Sequence, residues 1–206
     1  MFVELFSDDG ISLEPTETIK QRNHSIAERH RAKGLSADHL EIVIRGRIDE
    51  QMVCDVCKAL DLVPAAKSLD LIIDCKGGDS LSAAYIYKRI RDYPAATKTA
   101  QIVGACESGG LIIALAADHR TASRKATFLI HQSRISGYVG LDWKAQDMQR
   151  MADQLTATDT DMFNLIAERT GNDVAVIAAI ASDEEYSSID WCIQNGIIHE
   201  IAEDQP

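Results

Sequence analysis

The sequence predicts an α/β domain with mainly parallel strands. Strand-like and helical apolar patterns alternate from about residue 40 onward, and glycine turns follow the strand patterns. The run "LDLIID" is also short and continuously apolar, as strands buried on both faces are. The chain has 206 residues, 46% of them hydrophobic and 26% charged, which suits one well-buried domain.

Residues 1–39 read as a charged amino-terminal arm. A short apolar "MFVELF" precedes "PTETIKQRNHSIAERHRAKG", which is charged nearly all round and runs from Pro15 to Gly34 in the manner of an exposed helix. His24 and His30 within it read as solvated. Residues 40–206 read as the domain proper. "HLEIVIRG" alternates as a strand, "DEQMVCDVCKALDLV" is a helix, "LDLIID" a buried strand, "CKGGDS" a glycine turn, and "LSAAYIYKRIRDYP" a helix closed by Pro94. The unit then repeats, with "KTAQIVGA" as strand, "CESGG" as turn and "LIIALAADHR" as a helix whose cationic end suits its dipole. "KATFLIHQS" is a further strand. A long polar helical pattern, about residues 141–170, stops at Gly171, and the tail reads as helix, Gly196 stop, final strand and acidic end.

A net charge of -11 argues against an extended nucleic-acid or anionic-membrane surface and favours peptides, small molecules or other proteins as partners. No run approaches the roughly 18 apolar residues of a spanning helix, and the start lacks the basic and apolar regions of a signal peptide, so the expected location is cytoplasmic. Cys54, Cys57, Cys75, Cys106 and Cys192 form an odd set in apolar surroundings, unlike a disulfide framework. Cys54 and Cys57 make a C-x-x-C with no second ligand pair, so they read as buried helix cysteines. Neither a metal nor a cofactor is expected.

Three positions fall at the carboxyl ends of expected strands: the Gly77–Gly78 turn, Ser108 and His131. Ligands of open α/β sheets bind at that edge. A serine at a helix start has an exposed hydroxyl beside backbone N–H groups that the helix leaves unpaired. His131 would act as general base toward Ser108, and the N–H groups of Gly78 and Gly109 would form an oxyanion hole. Each piece alone is also what an ordinary turn or loop offers. "ESGG" does not fit G-x-S-x-G, because Cys106 takes the first glycine position.

In order, "DCKGGDSLSAAYIYKRI", "IVGACESGGLIIALAADHR", "ATFLIHQS", a long helix, "AERTGNDVAVI" and "EEYSSIDWCIQNGIIHEI" resemble the Clp protease proteolytic subunit (ClpP) family over roughly residues 40–201. The resemblance implies the ClpP/crotonase-like spiral of repeated β-β-α units with a protruding handle helix. It further implies an ATP-independent serine peptidase core that cuts peptides or unfolded polypeptides inside a homo-oligomeric ring, with rings stacked through the handle. An unfolding ATPase is a partner by analogy only. Gly78, Ser108 with Gly109, and His131 match the family's oxyanion, nucleophile and base positions.

The resemblance breaks at the family's catalytic acid, an Asp six residues before the aromatic that here is Tyr186; that position holds Ile180. Asp183 is the neighbour that would supply the carboxylate. Otherwise the site is a Ser-His dyad, or the protein is a catalytically degraded ring subunit or binding scaffold, paired with an active paralogue. "CKGG" also replaces the family's "SPGG". A crotonase-like acyl-CoA enzyme and a phage-type capsid maturation protease are further readings of the same fold.

Overall fold

The computed structural model describes the backbone of residues 2–7 and residues 38–135 and 142–202 in full. The expected helix of the amino-terminal arm lies outside the described residues. Strand β1 (Phe2–Ser7) is followed by β2 (His39–Ile48), α1 (Glu50–Leu62), β3 (Ser68–Gly78), α2 (Ser80–Asp92), β4 (Thr97–Glu107), α3 (Gly109–Ala114), β5 (His119–Ala122) and β6 (Thr127–Leu129). Next come α4 (Ala145–Thr170), α5 (Val174–Asp183), β7 (Tyr186–Ser187), α6 (Ile189–Gln194) and β8 (Glu200–Ile201). The sheet runs β1-β2-β3-β4-β5-β8 with every pair parallel, and β7 alone is antiparallel, to β6. The α/β class with a parallel sheet is the one the sequence predicted.

Local chemistry sets the element ends. Asp49 caps α1 by accepting from the N–H of Met52 at 2.9 Å, and Asp79 caps α2 by accepting from Ser82 at 2.7 Å. The apolar stripes of these helices, among them Met52, Val56, Leu60, Ile86 and Ile90, close over Ile42, Ile44, Leu71, Ile73 and Ile102 of the strands. The expected C-x-x-C burial is corrected here. Cys54 is exposed and Cys57 half-buried, because their positions on α1 flank the stripe of Met52, Val56 and Ala59.

The helix expected over "LIIALAADHR" is also shorter: α3 has six residues, and His119 and Arg120 open strand β5. Alanine and leucine favour helix locally, but residues 111–117 are buried throughout, and the chain turns there under tertiary contacts. The Arg120 guanidinium, 3% exposed, donates to the carbonyls of Ala117 at 2.7 Å, Ile197 at 2.7 Å and Gly196 at 2.9 Å. Arg169 donates to Leu115 and Ala117, and Arg91 to Ala116. Three arginines thus satisfy the carbonyls that the end of a short helix leaves open.

Helix α4 spans 26 residues, about 39 Å, and ends at Gly171 with a φ of 77°. Its buried residues are Phe163, Ile166 and Ala167, so among the described residues its first four turns bury no side chain fully. None of the described helices is long and apolar enough to cross a membrane.

Strand β8 is attached to β5 through a titratable contact. The Arg120 N–H donates to His199 Nδ1 at 3.0 Å, and the His199 N–H donates to the Arg120 carbonyl at 2.8 Å. His119 stacks on His199 with ring centroids 5.0 Å apart, and its Nε2 lies 3.0 Å from Glu200 Oε1. Burial first, then the charges of Arg120 and His119, hold the His199 imidazole below its ordinary range. The unfolded chain therefore binds this proton more readily than the folded one. The resulting stability is present above the unfolded value of about 6.5 and is lost as pH falls through the folded value. Thermal melts between about pH 7 and pH 5 should show Tm falling with acid, with a shallower fall in His199→Gln.

Candidate active site

Strand β4 brings two sequence-distant residues to one edge. Its first half pairs with β5, Thr99 to Ile102 against His119 to Ala122. Its last three residues, Ala105 to Glu107, pair with Thr127 to Leu129 of β6. The ladder continues in the N–H of Ser108, which donates to the Leu129 carbonyl at 2.8 Å. Ser108 therefore leaves β4 beside the point where the chain runs from β6 into His131. Both residues are half-buried.

Ser108 occupies the turn from β4 into α3 with φ 52° and ψ -124°, a positive φ that a non-glycine residue seldom adopts. Such backbone strain costs about 1–3 kcal/mol and clusters at functional sites. The same strained strand-to-helix turn exposes the nucleophile in G-x-S-x-G elbows, so the geometry is present here without the motif. The Ser108 carbonyl accepts from Leu111 and Ile112, while its hydroxyl makes no capping bond to the helix.

Each glycine around the serine has its own close contact. Gly77, with φ 98°, abuts the serine: a Cβ there would come within 2.7 Å of Ser108 Cβ and 3.1 Å of the Gly109 nitrogen. Gly78 is pressed against Ile48 instead, where a Cβ would lie 2.2 Å from the Ile48 carbonyl oxygen. The N–H of Asp79 serves that carbonyl at 2.9 Å, and Ile48 is in register with Gly78, so the Gly78 amide is directed away from β2, to the β4 side. Gly109 and Gly110 let α3 close on its neighbours, since added Cβ atoms would meet Ala83 and Ile48 at 3.0 Å and the Cys75 carbonyl oxygen at 2.6 Å. Sequence reasoning placed the Gly77–Gly78 turn at this edge and gave a role to Gly78 alone; the pair "GG" signalled a turn but not which glycine faces Ser108. Gly77→Ala should slow any reaction at Ser108 and lower Tm, because the new methyl meets that residue's Cβ and φ is left-handed. Reaction of Ser108 with an active-site probe, measured beside a thermal melt, checks both effects.

His131 Nδ1 lies 2.7 Å from the Gln132 carbonyl oxygen. A carbonyl only accepts, so Nδ1 carries the hydrogen and Nε2 is the basic nitrogen. The segment that follows is tied on two sides. The N–H of Ser133 donates to Asp159 of α4 at 2.7 Å, and Arg134 pairs with Glu184 at 2.7 Å. Asp183, the last residue of α5, is exposed, and Tyr186, three residues on, pairs with Leu129 of β6. The fold thus brings Asp183 into the neighbourhood of His131, but among the described residues no hydrogen bond or ion pair joins them. Ile180 is half-buried and packs on the core.

Burial raises the thiols of Cys75 to about 11 and Cys192 to about 12, and raises Cys106 well above its ordinary value. Cys106, two residues from Ser108, therefore stays a neutral thiol, not a thiolate nucleophile.

A sequence model of the Clp protease family matches residues 30–205. An ATP-dependent Clp protease proteolytic subunit of Leuconostoc citreum is 26% identical over 162 residues, covering 76% of this chain and 80% of its own. ATP-dependent Clp protease proteolytic subunit 2 of Treponema denticola is 28% identical over 170 residues, covering 80% and 82%. Among solved structures, a ClpP1 mutant from Listeria monocytogenes superposes with a TM-score of 0.70 at 23% identity, over 84% of this chain and 96% of its own. That structural likeness bears on the fold.

Proposed function

Because the chain belongs to the Clp protease family, we propose that it is a serine peptidase cutting peptides or unfolded polypeptides, with Ser108 as nucleophile and His131 as general base. The observation that carries this reading is the strained turn at Ser108, set by the β4–β6 register beside the strand end that leads to His131. In the acylation step His131 Nε2 takes the Ser108 hydroxyl proton as Oγ bonds to the substrate carbonyl carbon. The proton then passes to the leaving amine, and water repeats the cycle on the acyl-enzyme. The amides of Gly78 and Gly109 are the proposed oxyanion donors, supported by the direction of the first and the position of the second directly after Ser108.

The Gln132 carbonyl holds His131 in the tautomer a base requires, so this reading works as a dyad. Asp183 belongs to the triad version of the reading, supported by its place three residues before Tyr186 on the strand beside β6. Assembly into rings stacked through α4 is proposed from the four turns of that helix that bury no side chain fully and from the family. The curated relatives are named as ATP-dependent, which makes an unfolding ATPase the proposed partner. A second reading, a ring subunit that does not cut, is favoured by Ile180 and by a His131 Nδ1 that rests on a carbonyl and not a carboxylate. Fluorophosphonate labelling of the assembled protein separates the two. The peptidase reading requires adduct on Ser108, mapped by mass spectrometry, and an assembled protein that takes no label supports the second.

A further inference from the structure

Glu107 is the one buried carboxylate among the described residues, at 7% exposure, and it immediately precedes Ser108. Taking an ionised group out of water is unfavourable unless partners compensate it. Its hydrogen-bond partner among the described residues is a neutral hydroxyl: Thr127 Oγ1 donates to Glu107 Oε1 at 3.0 Å. In the β4–β6 ladder Glu107 is opposite Leu129, so Thr127 lies two positions before that partner and His131 two positions after it. Residues two apart on a strand share a face, which sets Thr127 on the Glu107 side of the ladder; His131 follows two residues after the end of β6 at Leu129. The carboxylate therefore sits beside the path into His131, with Thr127 as its present donor.

We propose that Glu107 is a positioning residue for the Ser108–His131 pair, supplying the negative charge that the Gln132 carbonyl lacks. This rests on the peptidase reading above. When the Ser108 O–H bond breaks, its proton goes to Nε2, Oγ bonds to the substrate carbon, and the carbonyl electron pair moves to oxygen. His131 then carries a positive charge. The Gln132 carbonyl keeps the ring oriented but is neutral; the Glu107 carboxylate offsets the charge through space. The work of a single triad carboxylate is thus divided between two groups.

The test uses the full chain, a fluorogenic peptide and a fluorophosphonate. Glu107→Gln keeps the shape and the acceptor for Thr127, so a brace between strands would leave it like the wild type. The charge role instead predicts a kcat lower by about 10- to 100-fold with KM within about twofold, and a matching loss in labelling rate. Glu107→Asp, which keeps the charge, should retain more activity than Glu107→Gln. Thr127→Val removes the hydroxyl that compensates the buried carboxylate and should lower kcat, while Thr127→Ser, which keeps the hydroxyl, should restore it; an unchanged kcat in Thr127→Val together with a Glu107→Asp no more active than Glu107→Gln overturns the inference. So does a wild-type kcat in Glu107→Gln while Ser108→Ala and His131→Ala are inactive. If the wild type neither labels at Ser108 nor cuts, the peptidase reading fails first and takes this inference with it. Should Glu107→Gln not fold, Glu107→Asp and Thr127→Val carry the test in the same directions.

Discussion

Ser108→Ala is expected to lower peptide cleavage by about 10⁶-fold, the scale on which loss of a serine nucleophile is felt, and to remove fluorophosphonate labelling. The fold should survive. The backbone of Ser108 is held by its N–H on Leu129 and by its carbonyl under Leu111 and Ile112, and none of these bonds uses the hydroxyl. Alanine carries the same Cβ into the same φ of 52°, so it inherits the strain and the packing against Gly77. Ser108→Gly makes the second half of the expectation. Glycine enters positive φ at little cost, so that variant should be inactive yet more stable than the wild type, by about 1 kcal/mol. A higher Tm together with lost activity would identify the turn as strain kept for function at the expense of stability. Equal Tm values for Ser108→Gly and the wild type would remove the strain from the account.

The difference between what was legible in the sequence and what was not follows the range of the interactions. Asp49, Asp79 and Gly171 act within one turn of their helices, so helices α1, α2 and α4 could be read nearly to their ends. The common edge of Ser108 and His131 was legible because it follows from strand direction, which the alternation of helix and strand dictates. Three features depend on partners far along the chain. Arg120 reads as a cationic helix end until Gly196 and Ile197 are known to lie over it. Gly77 and Gly78 look alike until Ser108 is set against one and Ile48 against the other. "CESGG" reads only as a turn, and the burial of its Glu107 depends on β6 arriving with Thr127 in register with Ala105.

Arg120→Met is expected to be the most damaging stability change outside the site, costing about 3–5 kcal/mol. Methionine fills much of the volume, so the loss isolates the polar interactions. Three carbonyls lose a donor, those of Ala117 and Ile197 in buried bonds and that of Gly196 in a half-buried one, and each unsatisfied buried group costs about 1–3 kcal/mol. Arg169 still reaches Ala117 at 3.1 Å, which keeps the total below the simple sum. For a chain of this size Tm should fall by about 10 °C or more, readable by differential scanning calorimetry. The damage should not stay local. Gly196 and Ile197 lead into β8, and Ala117 follows the helix whose other end is Ser108, so one guanidinium ties the final strand to the serine-bearing turn. Arg120→Met should therefore slow fluorophosphonate labelling at Ser108 at temperatures where the protein is still folded, whereas an equally destabilising cavity beneath α1, such as Val56→Ala, should leave the labelling rate near that of the wild type. If both variants slow labelling alike, the loss reflects global stability, and Arg120 has no special hold on the turn.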